Sequence, residues 1–298
     1  MNSTCLAHRL TDSERRHFDE QGYLIVENAL SPERTETLTH VCDRLMDEKQ
    51  QADNLSPHDA LDIPDILGRD PTVLDLIDCE TTFPKVWGIL GWNICIYHSG
   101  LLATPPVGPQ RPASEASVAW HQDSMRVNDE IGVSPRPRLS IKVFYFCSDM
   151  SEPGRGNTLI VPGSHLHDEV AVPEDGQSNP EGAIPICVPP GAAVIIDRRI
   201  WHSRSINHWH ETRKMLFMGY SFRWLLPKDA MTVEQLYDGL DPIRGQLLRD
   251  NPSNDSTYAP EEGDTPLRDW LAEHCPTDAE WVAGKRRQSY RPDIPNIV

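Results

Sequence analysis

Three residues that can bind a metal ion, His121, Asp123 and His202, lie in two short motifs of this sequence, each opened by a tryptophan. Two imidazoles and one carboxylate can occupy one face of an octahedral Fe(II) ion and leave the opposite face open, which permits oxygen chemistry. Because alternate residues of a strand point to the same face, His121 and Asp123 can reach one metal while Gln122 points elsewhere. The third ligand must then come from a strand that is distant in sequence and close in space.

A His-x-Asp pair alone is a weak signal of a metal site, because many histidines in proteins only form hydrogen bonds. The surrounding motifs decide between the two interpretations. Residues 157–165 end in Pro-Gly-Ser-His, residues 190–197 form a Pro-Gly turn followed by an apolar run, and Arg213 comes eleven residues after His202. In this order the motifs resemble the phytanoyl-CoA dioxygenase family of Fe(II)/2-oxoglutarate oxygenases. The resemblance extends over residues 18–223, and four ordered motifs are much more specific than any one of them.

The resemblance implies a fold that is mainly β with flanking helices, a double-stranded β-helix (jelly roll, cupin-like). It implies that His121, Asp123 and His202 are the catalytic metal ligands and that Fe(II), 2-oxoglutarate and O2 are the cofactor and co-substrates. It also implies that Arg213 binds the far carboxylate of 2-oxoglutarate, a task that suits a guanidinium with two parallel donors. The expected reaction releases succinate and CO2 and hydroxylates an aliphatic carbon, although desaturation, ring closure or epoxidation can follow from the same chemistry.

Four further residues are weaker candidates for contacts with the co-substrate. Gln122 lies between the two ligands of the first motif, Tyr145 lies near an aromatic position of the family on the next core strand, and Lys142 precedes it on the same strand. A serine often stands two residues after the second histidine in the family and assists the carboxylate. This chain has Arg204 at that place, which leaves the assisting contact open.

Three loops are longer and richer in proline, glycine and serine than a simple connection requires, namely residues 105–117, 124–137 and 173–190. Long loops in a compact domain are often functional. We expect the first two to cover the site, because each is joined to a strand that carries site residues, whereas the third can be a surface excursion. The candidate substrate contacts in the second loop are Met125, Arg126 and Asn128, and the alternative is that these three residues only pack the loop.

The elements that must position these residues are also visible in the sequence. Residues 11–14 form a capping box and residues 31–32 a serine followed by proline, two signals of helix starts that flank a strand at residues 23–26. Short β-like runs separated by Pro/Gly turns favour a jelly roll. These runs are residues 92–97, 117–120, 139–147, 158–161, 192–197 and 214–222. The chain is predicted to be one domain, 1–298, with a core of about 20–225 and a helical and loop extension at 226–298.

Composition limits the class of partner. The formal net charge of −17 argues against nucleic acid and weakly against coenzyme A thioesters. A local cluster of Arg136, Arg138 and Lys142 can still bind an anion, or can be an ordinary solvated loop.

The seven cysteines contain no Cys-x-x-Cys pair and no apolar run reaches the length of a membrane span, so we expect reduced thiols and a cytoplasmic protein.

The sequence leaves three functional hypotheses open. The first is an oxygenase that acts on a small, free molecule resembling a natural product or an amino acid; the second is an acyl-CoA hydroxylase. The third is a metal-binding barrel without catalysis, used for sensing or storage. Halogenation is disfavoured because halogenating relatives replace the carboxylate ligand by a small residue, and Asp123 is present. The pairs at 165/167 and 208/210 also have ligand-like spacing but are expected to lie in turns. The oligomeric state stays open.

Overall fold

Ten strands form one barrel in the described part of the computed structural model, and helices pack around it. The structure describes residues 1–108, 118–174, 178–250, 254–261 and 263–282. One sheet has the strand order β1-β8-β5-β10-β3-β2 and the other the order β4-β9-β6-β7, and all neighbouring strands are antiparallel. The strands are β1 (Tyr23–Val26), β2 (Leu61–Pro64), β3 (Ile94–Thr104), β4 (Val118–His121), β5 (Ser140–Phe146), β6 (Thr158–Ile160), β7 (Ile184–Pro185), β8 (Ala193–Asp197), β9 (His202–Arg204) and β10 (Arg213–Phe222).

The helices of the described residues precede the barrel, connect some of its strands, or follow it. The α-helices are α1 (Asp12–Gln21), α2 (Pro32–Asp53), α3 (Ile66–Arg69), α4 (Phe83–Leu90), α5 (Arg126–Ile131), α6 (Pro242–Leu248), α7 (Asn254–Tyr258), α8 (Pro266–His274) and α9 (Pro276–Val282). The two predicted helix starts are confirmed: Thr11 and Glu14 form a reciprocal capping box, and the Ser31 side chain accepts a hydrogen bond from the Arg34 backbone.

Alternation along β5 sends its side chains to two different cores. Ile141, Val143 and Tyr145 pack into a large apolar cluster between the six-stranded sheet and the helices. Phe144 belongs to a second cluster inside the barrel, and Lys142 faces the cavity there. Because successive residues of a strand point to opposite faces, the sequence of this one strand defines both the helix-facing and the barrel-facing side.

The predicted strands are confirmed with shifted ends, and β9 is the strand that was expected to carry the third ligand, but two strands were not predicted. β3 continues to Thr104, well past the predicted run, and its pairing with β10 shifts at Gly219/Tyr220. The unpredicted strands β2 and β7 span at most four residues each. Strands this short carry too few residues for a period-2 pattern to stand out from a loop.

The segment after the barrel packs against the helix-facing core. Ile243 and Leu247 of α6 and Leu267 and Leu271 of α8 are buried in the same apolar cluster as the helix-facing side of the sheet. All seven cysteines have free thiols. Among the described residues, no helix combines the length and apolar character that crossing a bilayer requires.

Candidate metal centre

The three candidate ligands meet at one end of the four-stranded sheet. β4 and β9 are neighbours, and their register places His121 opposite His202, with ring centroids 4.3 Å apart. One ligand atom from each of these residues and one from Asp123 lie within 4.8 Å of one another. No other group of three or more such side chains occurs in the described part of the chain. Two imidazoles and a carboxylate in this arrangement are the donor set that suits Fe(II).

Asp123 is placed by its backbone and by two cations rather than by a strand, because β4 ends at His121. Its N–H donates to the carbonyl of Arg198 at 3.0 Å, and its Oδ2 lies 2.8 Å from Lys142 Nζ and 3.2 Å from Arg198 Nε. Burial alone would raise the pKa of Asp123, but Lys142 and then His202 hold it well below its usual range. The carboxylate is therefore ionised.

His202 is oriented in the way that a metal ligand requires. Its Nδ1 donates to the carbonyl of Ile200 at 2.9 Å, which leaves Nε2 as the ligand nitrogen. Burial lowers the pKa of His202 to about 4, with Asp123 opposing that shift. The imidazole is neutral at pH 7, the form that binds a metal ion.

Arg213 provides a site that suits a carboxylate. The side chain is 3% exposed, and its Nη2 and Nη1 donate to Thr158 Oγ1 at 2.8 Å and to Thr104 Oγ1 at 3.4 Å. Its Nε is buried without a hydrogen-bond partner within the described ranges. Burial, followed by the nearby Arg204, lowers the pKa of Arg213 to about 9. A buried guanidinium with an unused donor fits the carboxylate of a bound acid, which would also relieve its desolvation.

One cavity of about 540 Å³ contains both the metal ligands and Arg213. This volume lies in the range typical of small-molecule sites. Arg204 also lines the cavity, and its Nη1 donates to Thr104 Oγ1 at 3.2 Å, so two guanidinium groups share one hydroxyl. The remaining walls are contributed by both sheets and by the segment after β10, and they include Asp62, His98, Leu102, Lys142, Phe144, Met215, Phe217 and Lys228.

Gln122 does not face the cavity. Its Nε2 donates to the carbonyls of His167 at 2.9 Å and Arg199 at 2.6 Å, and its Oε1 accepts from Asn128 at 2.9 Å. This position agrees with the expectation that Gln122 points away from the metal. It argues against a contact between Gln122 and the co-substrate, because both polar atoms of the side chain form hydrogen bonds with neighbouring loops.

Tyr145 also lies away from the cavity, on the helix-facing side of the sheet. Its hydroxyl is 2.7 Å from Thr82 Oγ1 and donates to the carbonyl of Leu76 at 3.1 Å. Lys142 and Tyr145 are three residues apart on one strand, so the two side chains must face opposite sides. Of this pair only Lys142 lines the cavity, and the position of Tyr145 argues against the expected contact with the co-substrate.

The three candidate substrate contacts after the first motif are not among the cavity-lining residues. Residues 126–131 form α5, and on it Arg126 pairs with Glu130 at 3.0 Å in solvent. Met125 is 42% exposed, and Asn128 is held by Gln122. The alternative that these residues serve the loop matches this placement. The other predicted lid, residues 105–117, lies mostly outside the described residues.

Arg136, Arg138 and Lys142 do not form one anion clamp. Arg136 donates to the backbone carbonyl of Asp123, and Arg138 pairs with Asp197 at 2.7 Å, whereas Lys142 pairs with the Asp123 side chain. Each cation therefore has its own structural partner.

Three polar residues of the site were missed in the sequence. Thr104 and Thr158 hold the Arg213 guanidinium, and Arg198 contacts the metal-binding carboxylate. The threonines carried no signal, since threonine is common in strands. Arg198 had a signal, because it directly follows Asp197, the last residue of the apolar strand β8, and a charge next to a buried strand requires a partner.

Comparison with known proteins agrees with this architecture. The profile of the phytanoyl-CoA dioxygenase (PhyH) family matches residues 18–215. A search of curated protein sequences gives no significant match.

Several solved structures share the fold at low sequence identity. HygX from Streptomyces hygroscopicus, solved with nickel and 2-oxoglutarate, has a TM-score of 0.57 and 15% identity over 74% of this chain and 93% of its own. The 2-oxoglutarate-dependent epimerase SnoN from nogalamycin biosynthesis has a TM-score of 0.54 and 15% identity over 76% and 88%. The carbocyclase SnoK from the same biosynthesis has a TM-score of 0.53 and 19% identity over 72% and 85%. These similarities establish the double-stranded β-helix fold.

Proposed function

The chain belongs to the phytanoyl-CoA dioxygenase family of 2-oxoglutarate-dependent non-haem iron enzymes, and we propose that it hydroxylates an aliphatic carbon of a small, free metabolite. The observation that carries this proposal is a cavity that combines the His121, Asp123 and His202 triad with the buried guanidinium of Arg213, whose Nε has no hydrogen-bond partner among the described residues. A non-catalytic barrel for metal storage would have no use for a carboxylate site beside the metal.

Different residues along the cavity would bind the metal and the co-substrate. His121, Asp123 and His202 would hold the iron, and Arg213 with its threonine neighbours would hold the far carboxylate of 2-oxoglutarate. Bound iron supplies, with 2-oxoglutarate and O2, the oxidising equivalent that breaks an aliphatic C–H bond. The chain itself binds and orients the reactants and keeps water out.

Two features of the walls support this division. Phe144, Met215 and Phe217 present apolar surface to the cavity, which excludes water from the region between the triad and Arg213. Lys142 and Arg198 both contact Asp123 Oδ2, and these two contacts orient the carboxylate. Outer partners of this kind typically contribute 10- to 100-fold to metal affinity or activity, as an order of magnitude.

A free small molecule is the better substrate for this cavity than a macromolecule or a coenzyme A thioester. About 540 Å³ must hold 2-oxoglutarate and the reacting part of the substrate together. HygX has been solved with hygromycin B bound and SnoN with nogalamycin RO bound, and both ligands are free small molecules. The expected anion clamp for an acyl-CoA is also dispersed among three structural partners.

The experiment that tests the proposal measures coupled turnover. The protein is loaded anaerobically with Fe(II) and 2-oxoglutarate, exposed to O2 with pools of free aliphatic metabolites or of acyl-CoA thioesters, and assayed for succinate and product mass. We expect one class of free metabolite to release succinate and gain the mass of one oxygen atom. Asp123→Asn should abolish both signals, and Asp129→Asn, on the exposed side of α5, should leave them unchanged.

Each alternative has a distinct outcome in the same assay. A product that loses two hydrogens instead indicates desaturation or ring closure, and an unchanged mass with altered stereochemistry indicates epimerisation. Coupled turnover of acyl-CoA thioesters alone would overturn the free-metabolite assignment. No succinate above the level of Asp123→Asn with any pool, despite bound iron, would favour the non-catalytic barrel.

A further inference from the structure

The outer part of the cavity contains polar residues that the metal and the co-substrate do not use. Once the triad and the Arg213 end are assigned, His98, Asp62 and Lys228 remain on the cavity wall. A second cavity of about 490 Å³ shares His98 and Lys228 with the first, so these two residues mark the passage between the two cavities. The combined space is where the body of a substrate would extend from the metal.

Lys228 and Arg213 lie at opposite ends of this space. The Lys228 backbone N–H donates to the carbonyl of Tyr97 at 2.6 Å, at one end of the cavity-lining part of β3. Arg213 lies opposite Thr104, seven residues further along the same strand. At about 3.3 Å per residue the backbone positions beside the two residues are roughly 20 Å apart. Because 2-oxoglutarate is assigned to Arg213 at one end and to the metal at the other, Lys228 is left for another ligand.

The segment that carries Lys228 is held in place by backbone contacts. Asp229 accepts from the Ser99 N–H at 2.7 Å and from the Met231 N–H at 3.2 Å. Asp65, the other acid of the outer cavity, accepts from the Thr232 side chain and N–H. Both carboxylates are therefore occupied in holding this segment against β3 and the loop after β2.

The ammonium of Lys228 has no ion-pair partner within the ranges that the structure describes. The residue is exposed where the two cavities meet, and partial burial lowers its pKa, as do the neighbouring cations Arg198 and Lys142, while Asp123 and Asp62 oppose that effect. Lys228 therefore offers the cavity a cationic group with which an anionic ligand can pair.

We propose that Lys228 binds a carboxylate of the substrate. This inference rests on the proposed function and narrows the substrate class to small carboxylic acids. A carboxylate fits better than a phosphate, because the site offers one ammonium and lies near Asp62 and Asp229, which would repel a dianion. His98 beside it presents a neutral imidazole, whose Nδ1 has no hydrogen-bond partner among the described residues and can donate to or accept from the substrate.

The test uses binding and not turnover. The full chain is loaded with Ni(II) in place of iron, and uptake of 2-oxoglutarate is measured by calorimetry. The loaded protein is then titrated with linear carboxylic acids from butyric to decanoic acid, with the matched primary amides and with the matched alkyl phosphates. The same titrations are run on Lys228→Gln, Lys228→Arg and, as a surface control, Lys49→Gln, whose lysine pairs with Asp53 on α2.

We expect at least one acid to bind the wild-type protein about fivefold to tenfold more tightly than its amide, as one ammonium–carboxylate contact allows. Lys228→Gln should remove that preference, Lys228→Arg should retain part of it, and Lys49→Gln should leave it intact. Equal binding of acids and amides, no binding of either, or a preference for phosphates would overturn the proposal. So would an acid preference that survives in Lys228→Gln.

Failure of this inference is distinguishable from failure of the proposed function. If the nickel protein does not take up 2-oxoglutarate, the proposed function fails before any acid is added. The comparison of acids with amides is also run without 2-oxoglutarate, so the role of Lys228 is decided in either case. Thermal melting of each variant verifies that the chain is folded.

Discussion

The two faces of the six-stranded sheet differ in how completely their polar atoms are paired. On the helix-facing side, the Tyr145 hydroxyl contacts Thr82, and the Tyr220 hydroxyl donates to the carbonyl of Ile77 at 2.9 Å. Both tyrosines are fully buried within an apolar cluster. Every polar group named on this face has a partner within the protein, as a structural core requires.

The barrel-facing side of the same strands leaves polar atoms unmatched. Arg213 Nε and His98 Nδ1 are buried without hydrogen-bond partners in the described portion of the chain. Lys142 and Arg198 both contact one carboxylate that a metal can also use. The difference teaches that one face is built for stability and the other for binding, since natural proteins leave polar groups unsatisfied mainly at functional sites.

The largest effect that this comparison predicts is that of Asp123→Asn. Iron affinity should fall more than about 100-fold, beyond the range for residues that only orient a ligand. The free energy of unfolding of the metal-free protein should also fall by about 3–5 kcal/mol, because two buried cations lose their counter-charge. Anaerobic iron titration and denaturant unfolding measure the two quantities. Asp129→Asn is the control, and wild-type iron affinity in Asp123→Asn would refute the metal assignment.

Arg213→Ala should separate binding from stability. Loss of the partner of a buried carboxylate should weaken 2-oxoglutarate binding by about 2–5 kcal/mol, while iron affinity stays within about twofold of wild type. The unfolding free energy without 2-oxoglutarate should not fall by a comparable amount, since the guanidinium has no internal counter-ion to lose. Titration of the anaerobic iron protein with 2-oxoglutarate checks this. If affinity is unchanged, Arg204 holds the carboxylate instead, and Arg204→Ala should then show the loss.

Tyr145→Phe should have the opposite profile. Removing the hydroxyl leaves Thr82 without a buried partner and removes one of the two hydroxyl donors to the carbonyl of Leu76, which should cost about 1–3 kcal/mol of unfolding free energy. Affinities for iron and 2-oxoglutarate should be unchanged. Denaturant unfolding and the same two titrations decide, and weakened 2-oxoglutarate binding in a folded variant would restore Tyr145 as a co-substrate residue.

Arg126→Ala should have the smallest effect, because Arg126 lies on neither face. Its pair with Glu130 is an exposed i,i+4 contact, so the unfolding free energy should change by no more than about 0.5 kcal/mol. Turnover of the substrate, once found, should match that of wild type within about twofold. A larger loss in turnover would mean that α5 closes over the substrate.

The metal site could be predicted from the sequence because its signal is local. The His-x-Asp spacing, the second Trp-His motif and the distance to Arg213 are all properties of short segments, and the structure brings the three ligands together. It was harder to predict which residues of β5 face the barrel interior. Lys142 and Tyr145 were both considered as co-substrate contacts, although their separation by three residues excludes a common face.

The remaining errors have a different origin, because they depend on contacts between distant segments. Lys228 reaches the cavity only because the segment after β10 folds back onto Tyr97 of β3. The sequence around Lys228 has no pattern that predicts this contact. Likewise, Asn128 follows the metal motif closely yet is turned away by its hydrogen bond to Gln122. Proximity in sequence to a metal ligand was a poor guide to proximity in space.

The hydrogen bonds of Gln122 also determine which substitutions the metal motif can tolerate. Its amide donates to two backbone carbonyls and accepts from one side chain, and only the side-chain amides of glutamine and asparagine offer two donors and an acceptor on one planar group. Asparagine is one methylene shorter, and glutamate would turn acceptors toward carbonyl oxygens. In a mutant library that varies residue 122 to alter metal binding, the variants that survive would therefore mainly be those that keep the loops at Asn128, His167 and Arg199 in place.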